Sequence, residues 1–398
     1  MTAIAGGVGA GSHPDALVAA ADAVEAATAA LGAASADLAV VFLGAGHAAA
    51  ADAVAALVRD RSRARHLVGG TVGGVIAGTD EHEHGYAVAV WLACLPGAEV
   101  VPLRYPPPRG DADALDDGWT PPPSDSNGVV LLADPVSFPA AGFCAWLAQA
   151  RPGVTLSGGL ATGLGLRSSA RLLLDDLVVD GGAVGVSIGG DVAVRALVSQ
   201  GCRPIGDPYV VTRAQRNLIV ELAGRPAVER LRELYAAASD ADRALLREGL
   251  QLGVVVDEHL DDPGTGDYLV RAVLGAERDG GGIVVGDVVE VGWSVRFHVR
   301  DAASADADLR ALLARYAAGP RPDTALLFTC TGRGAGLFGS PHHDARAVRD
   351  VLGDVALGGC FCGGELGPIG GRSHLHGYSA SLAGLVPASA LPAPGAEL

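Results

Sequence analysis

Three times along the chain, a short continuous apolar run leads into a helix-like stretch and then into a second apolar run that carries a glycine pair. LAVVFLGAG (38–46) leads to HLVGGTVGG (66–74), and GVVLLADPV (128–136) leads to VTLSGGLATG (154–163). ALLFTCTGRG (325–334) leads to VALGGCFCGG (355–364). Four to eight apolar residues bounded by glycine read as a buried strand, so each block predicts a strand–helix–strand unit. Helices are expected at 51–60, 139–150 and 342–352 inside these units, and at 226–249 and 303–317 outside them. The second strand of each unit is expected to end at its glycines, where the backbone turns sharply or approaches another group closely.

Further strand candidates fill the intervals: AVAVWLACL, LLLDDLVV, AVGVSIG, VAVRALVS, NLIVELAG, LGVVVD, DYLVRAVL, GGIVVGD and WSVRFHVR. Strands follow strands too often for strict alternation with helices. The expected fold class is α+β or mixed α/β, with layered mixed or antiparallel sheets and packed helices. A chain of 398 residues has room for two domains, placed at 1–225 and 226–398 with the 226–249 helix as the hinge. The proline-rich, acidic segment 105–128 reads as an exposed, mobile loop.

Composition removes several function classes. Net charge is −16 with no basic stripe, which argues against nucleic acid and against an anionic membrane surface. All 29 basic residues are arginine. Without lysine there is no Schiff base, no P-loop lysine and no kinase strand lysine. No apolar run reaches the ~20 residues of a spanning helix, and MTAIAGGVGAGSHPDAL has neither the basic segment nor the apolar core of a signal peptide. Six scattered cysteines without CxxC pairs fit reduced thiols. The expectation is a soluble, cytoplasmic protein.

Candidate chemistry concentrates in GGCFCGGELGPIGGRSHLHGYS (358–379). Cys360 and Cys362, and likewise His374 and His376, share a strand face by the two-residue period, a donor set that zinc could use. The spacing matches no usual structural zinc signature. Cys330, Cys360 or Cys362 with His374 or His376 could form a thiol–imidazole pair, and the stretch could equally be a pocket floor or a plain glycine-rich turn. GRGAG after the strand ALLFTC lacks the GxGxxG spacing, yet its backbone N–H groups could still form an anion-binding concavity with Arg333 inside it. TDEHEHGY (79–86) lacks HExxH spacing and reads as a solvated turn.

Taken in order, GGTVGGVI, SQGCRPIGDPYVVT (199–212), TCTGRGAGLFG (329–339), GELGPIGG and LHGYS resemble the successive signatures of the FIST family, an N-terminal FIST domain followed by a C-terminal one. The resemblance runs from about Leu38 to Leu382. It implies a bacterial sensory module that binds a small ligand, with amino acids suggested as ligands and haem associated with some members. Cys330, Arg333 and Gly334 match one element, Gly364 and Glu365 the next, and His376 the histidine before the final strand. These six are the expected ligand-binding residues, with Arg333 and Glu365 either gripping an amino acid by its two charges or pairing with each other. Cys360, Cys362 and His374 depart from the family pattern, which counts against a metal. Pro204, Gly206 and Pro208 read as turn chemistry at a strand exit. The expected function is a stand-alone sensor acting through a separate signalling partner, without a cofactor. The alternatives are a cysteine-dependent enzyme and a haem-binding sensor.

Overall fold

The computed structural model describes residues 3–33, 35–108, 118–162, 169–260, 263–277 and 281–391. They form two compact units: Met1–Val198, Leu309–Leu375 and Ser379–Leu398 make the first, and Ser199–Asp308 with His376–Tyr378 the second. The central part of the 105–128 loop, residues 109–117, lies outside the described residues. Trp119, on its C-terminal flank, packs among Tyr105, Phe138, Phe143 and Trp146 rather than standing in solvent.

The first unit contains three six-stranded sheets, and each is built on one of the strand–helix–strand blocks. Leu38–Gly44 pairs in parallel with His66–Val72, Ser126–Ala133 with Thr155–Leu160, and Thr324–Cys330 with Ala356–Cys362. The crossing helices are Ala51–Ser62, Ala140–Ala150 and His343–Leu352. The expected mixed fold of sheets and packed helices is what the chain adopts. As expected, His66–Val72 ends at Gly73 and Gly74 and Ala356–Cys362 at Gly363 and Gly364, but in the second block Thr155–Leu160 runs on past its glycine pair. Glycines also lie within the strands. Gly69, Gly158 and Gly359 sit inside them, opposite Val41, Leu131 and Leu327. A Cβ at each would lie about 2 Å from its partner's carbonyl oxygen (2.1, 1.9 and 2.0 Å). The glycines answer a close strand approach, repeated three times.

Strand alternation divides the apolar residues between two layers. Val40 and Phe42 join Val130, Leu132, Phe328 and Cys360 in one core shared by the three sheets. Val41 and Leu43 pack under the helices Ala16–Leu31 and Ala51–Ser62. Phe42 and Phe328 meet edge to face at 6.2 Å, tying the first sheet to the third.

The hydrophobic pattern missed the N-terminal strand Ala5–Ser12 and the helix Ala16–Leu31. Both are made of small residues, which give weak periodicity. A Cβ at Gly7, Gly9 or Gly11 would strike the helix backbone at Ala27, Ala23 or Ala19, so helix and strand touch main chain to main chain. Asp15 caps that helix by accepting from Leu17 N–H at 2.8 Å.

In the second unit, Cys202–Gln215, Ser294–Arg300, Leu250–Val255, Tyr268–Ala276, Ile283–Val285 and Leu218–Leu222 pair in sequence, and the last returns to the first to close the ring. Pro204, Gly206 and Pro208 lie within the first of these strands. The expected turn is a bulge between Ile205 and Pro208, where Gly206 takes φ 68°. The single helix expected over 226–249 is two, Ala227–Ala237 and Asp240–Glu248. Ala238 is extended, and the Ser239 side chain caps the second helix by accepting from Asp242 N–H.

Candidate functional site

The third block of the first unit carries most of the candidate residues to one end of its sheet. Thr324–Cys330 stops at Cys330, and the chain turns back at once: Arg333 N–H donates to the Cys330 carbonyl at 2.8 Å. The turn drives the Arg333 side chain inward, where it is 1% exposed. Its guanidinium forks onto Asp344, Nε to Oδ2 at 2.7 Å and Nη2 to Oδ1 at 2.9 Å. The partner of Arg333 is therefore Asp344, at the start of the His343–Leu352 helix, and not Glu365. Thr329 Oγ1 donates to Asp344 Oδ2 at 2.6 Å. Phe338 stacks on His343 at 3.4 Å and lies beneath the guanidinium.

Burial alone would raise the Asp344 pKa, but the Arg333 charge and the hydrogen bonds from Arg333, His343 and Thr329 outweigh it and hold the carboxyl well below the usual range. The same pairing keeps Arg333 protonated despite its burial.

Glu365 opens the strand Glu365–Ile369 and is fully buried. Its Oε2 accepts from Ser379 Oγ at 2.8 Å and from Ser379 N–H at 3.2 Å. Ser379 in turn offers its carbonyl to Cys330 N–H at 3.0 Å. Burial pushes the Glu365 pKa up to about 8, with the Ser379 hydrogen bonds and the Arg333 charge opposing. Gly364 uses its carbonyl to bond Leu160 N–H at 2.8 Å, a sheet contact. His376 ends the strand Arg372–His376, is 2% exposed and belongs to the second unit.

Besides Asp344, two carboxylates went unrecognised in the sequence, Glu81 and Glu83. Glu81 lies in the strand Asp80–His82, within the stretch expected to be a solvated turn, yet it is 4% exposed. Its Oε1 accepts from Ala345 N–H at 2.8 Å, and its own N–H donates to His342 Nδ1 at 2.8 Å. Burial, reinforced by the Asp344 charge, raises its pKa to about 7. Glu83 accepts from Ala335 N–H at 2.8 Å. The concavity expected at GRGAG thus meets an anion, and the anion is the chain's own. Gly334 has φ 65°, and a Cβ there would sit 2.5 Å from the Glu83 carboxylate, so this position excludes a side chain twice over. The clue to Glu81 and Asp344 was their setting, acidic residues beside histidines next to short apolar strands and helices.

Three buried polar atoms in this region have no hydrogen-bond partner: Arg333 Nη1, Glu81 Oε2 and Glu365 Oε1. One is a donor on a permanent cation, and two belong to carboxyls that titrate near neutrality. Leaving such atoms unpaired costs about 1–3 kcal/mol each. Chemically, Arg333 Nη1 is left to donate to an anionic group, and each glutamate oxygen to accept from a donor. A concavity of about 660 Å³ lined by Ile4, Gly97, Asp191, Arg321 and Leu385 involves none of these residues.

The thiols offer a different picture. Cys330 is 7% exposed, and Cys360 and Cys362 are fully buried with their sulfurs 3.5 Å apart. The Cys360 contact and burial push the Cys362 thiol well above its ordinary pKa, the reverse of thiolate activation. Among the described residues, no group of three or more His, Cys, Asp or Glu side chains is arranged to hold a metal ion. No helix among them is long and apolar enough to cross a membrane.

Comparison with known proteins adds two findings. Residues 37–225 match the FIST N domain and residues 227–368 the FIST C domain. Two uncharacterised mycobacterial proteins are similar over nearly their whole length. One from Mycobacterium tuberculosis is 43% identical over 380 residues, covering 95% of this chain and 98% of its own. One from Mycobacterium bovis is 42% identical over 379 residues, covering 95% and 97%.

Proposed function

The chain belongs to the FIST family, whose domains are associated with sensory signal transduction, and we propose that it senses a zwitterionic small molecule, an amino acid or a close analogue, at the Arg333 cluster. What supports this reading is the set of unpaired buried atoms, Arg333 Nη1 against Glu365 Oε1 and Glu81 Oε2. A carboxylate on Nη1 and an ammonium on the two glutamates satisfies all three at once. Asp344 keeps the guanidinium in place and charged, while Ser379 orients Glu365. The occupied state reaches a separate signalling partner through the segments the ligand clamps, chiefly the Cys330–Gly334 turn and the Asp80–His82 strand.

The reading predicts its own pH dependence. An ammonium favours ionised glutamates, so ligand affinity rises as pH increases through about 7 and about 8, the values for Glu81 and Glu365. Binding at pH 7 releases protons. The test is calorimetric titration with a panel of amino acids, repeated in buffers of different ionisation heat, on the wild-type chain and on Glu365→Gln. Saturable binding that releases protons and is lost in the variant is expected. No binding across the panel, or equal binding by the variant, would overturn the proposal.

A further inference from the structure

The second unit holds its own buried polar cluster. Gln251 and His298 are register partners on the adjacent antiparallel strands Leu250–Val255 and Ser294–Arg300, so their side chains leave the same face. Tyr268 shares that face from the next strand, where it pairs with Val255, four residues beyond Gln251. Its ring meets the His298 imidazole edge to face at 4.8 Å and 67°. Gln200 joins through its amide, whose Nε2 donates to the Tyr268 carbonyl at 3.2 Å. All four residues are at most 4% exposed. Gly253 leaves the room that the imidazole occupies, since a Cβ there would be 2.3 Å from His298 Cε1.

The hydrogen bonding fixes what this cluster offers. His298 Nδ1 lies 2.9 Å from the Arg296 carbonyl oxygen. A carbonyl only accepts, so the proton is on Nδ1 and Nε2 presents a bare lone pair. Burial lowers the His298 pKa to about 4, which keeps the ring neutral at physiological pH. The Gln200 amide is oriented by its bond to Tyr268, which turns Oε1 the other way. Gln200 Oε1, Gln251 Oε1 and His298 Nε2 are all buried without a partner. These are three acceptors, on residues linked by strand pairing and by Tyr268.

We propose that this cluster is a second ligand site, specific for a primary ammonium group. A single molecule that meets all three acceptors needs three hydrogens: a water molecule has two, whereas a primary ammonium carries at least three N–H donors. The neutral acceptors are completed by the Tyr268 ring, whose face attracts cations. A chain of net charge −16 also concentrates cations around itself. The site is separate from the Arg333 cluster and does not depend on the reading given for it.

The ammonium group can come from the free ion or from a small amine, and one experiment distinguishes them. The full chain, labelled with ¹⁵N-histidine, is titrated at pH 7 and constant ionic strength with ammonium chloride, methylamine hydrochloride and tetramethylammonium chloride. The His298 signal is identified by its loss in His298→Phe. Expected is a saturable shift of His298 Nε2 toward the hydrogen-bonded position with methylamine, none with tetramethylammonium, and at least tenfold weaker binding in Gln251→Leu. Glu365→Gln leaves the response unchanged. A response to ammonium chloride with none to methylamine supports the site and assigns it to the free ion. The proposal is overturned if neither ion shifts the signal, if tetramethylammonium acts equally, or if Nε2 is already hydrogen-bonded before any addition.

Discussion

Replacing Glu365 with glutamine changes one thing: the buried group no longer ionises, while an amide oxygen still accepts from Ser379. The folded protein holds the Glu365 proton far more tightly than the unfolded chain, with a pKa of about 8 against 4.5. Folding therefore takes up a proton between those values, and the wild type loses stability as pH rises through that window. At about 1.4 kcal/mol for each tenfold change in proton affinity, the loss is about 3 kcal/mol by pH 7 and about 5 kcal/mol by pH 9. Below pH 4.5 it vanishes. Urea denaturation followed by tryptophan fluorescence at pH 5, 7 and 9 measures this directly, and Glu365→Gln should gain on the wild type at each step upward. Glu81 still titrates in the variant, so a smaller decline between about pH 4.5 and about pH 7 persists. Parallel stability curves for the two proteins would refute the reasoning, because they would mean that Glu365 is not a buried carboxyl titrating near pH 8.

Other consequences follow from the same contacts. Asp344→Ala leaves the buried Arg333 charge without its partner and should cost about 3–5 kcal/mol, whereas the double variant Arg333→Met with Asp344→Leu should recover much of that loss in the same urea assay. Gly334→Ala combines a positive φ with a collision at Glu83 and should cost about 1–3 kcal/mol, part of it recovered by adding Glu83→Ala. In the native state only the half-buried Cys94 should react with a thiol reagent within minutes, and all six cysteines should react in denaturant. Rapid modification of Cys330 or Cys360 near neutral pH would instead favour the cysteine-enzyme alternative.

The repeated strand–helix–strand block was legible because its strands are continuous apolar runs and its helices intervene at similar spacing, a pattern that LAVVFLG and ALLFTC carry without help from tertiary context. The alanine and glycine residues at 5–31 were not legible. Their element type is decided by how closely a helix and a strand can approach, which small residues permit but do not announce. At the site, Arg333 and Glu365 stood out because charged residues among glycines are conspicuous. Asp344 looked like an ordinary first-turn acid of an amphipathic helix, and Glu81 like part of a charged turn. Only the fold, which sets the Asp80–His82 strand beside the start of the His343–Leu352 helix, makes a pair of surface-looking acids into buried ones.

Native mass spectrometry of freshly purified wild-type protein beside Glu365→Gln, each compared with its denatured mass, tests the central claim most directly. The account predicts one small-molecule adduct of amino-acid mass on the wild type, lost on denaturation and absent from the folded variant. A bare wild-type chain that gains no mass when amino acids are added, or an adduct carried equally by both proteins, would contradict it.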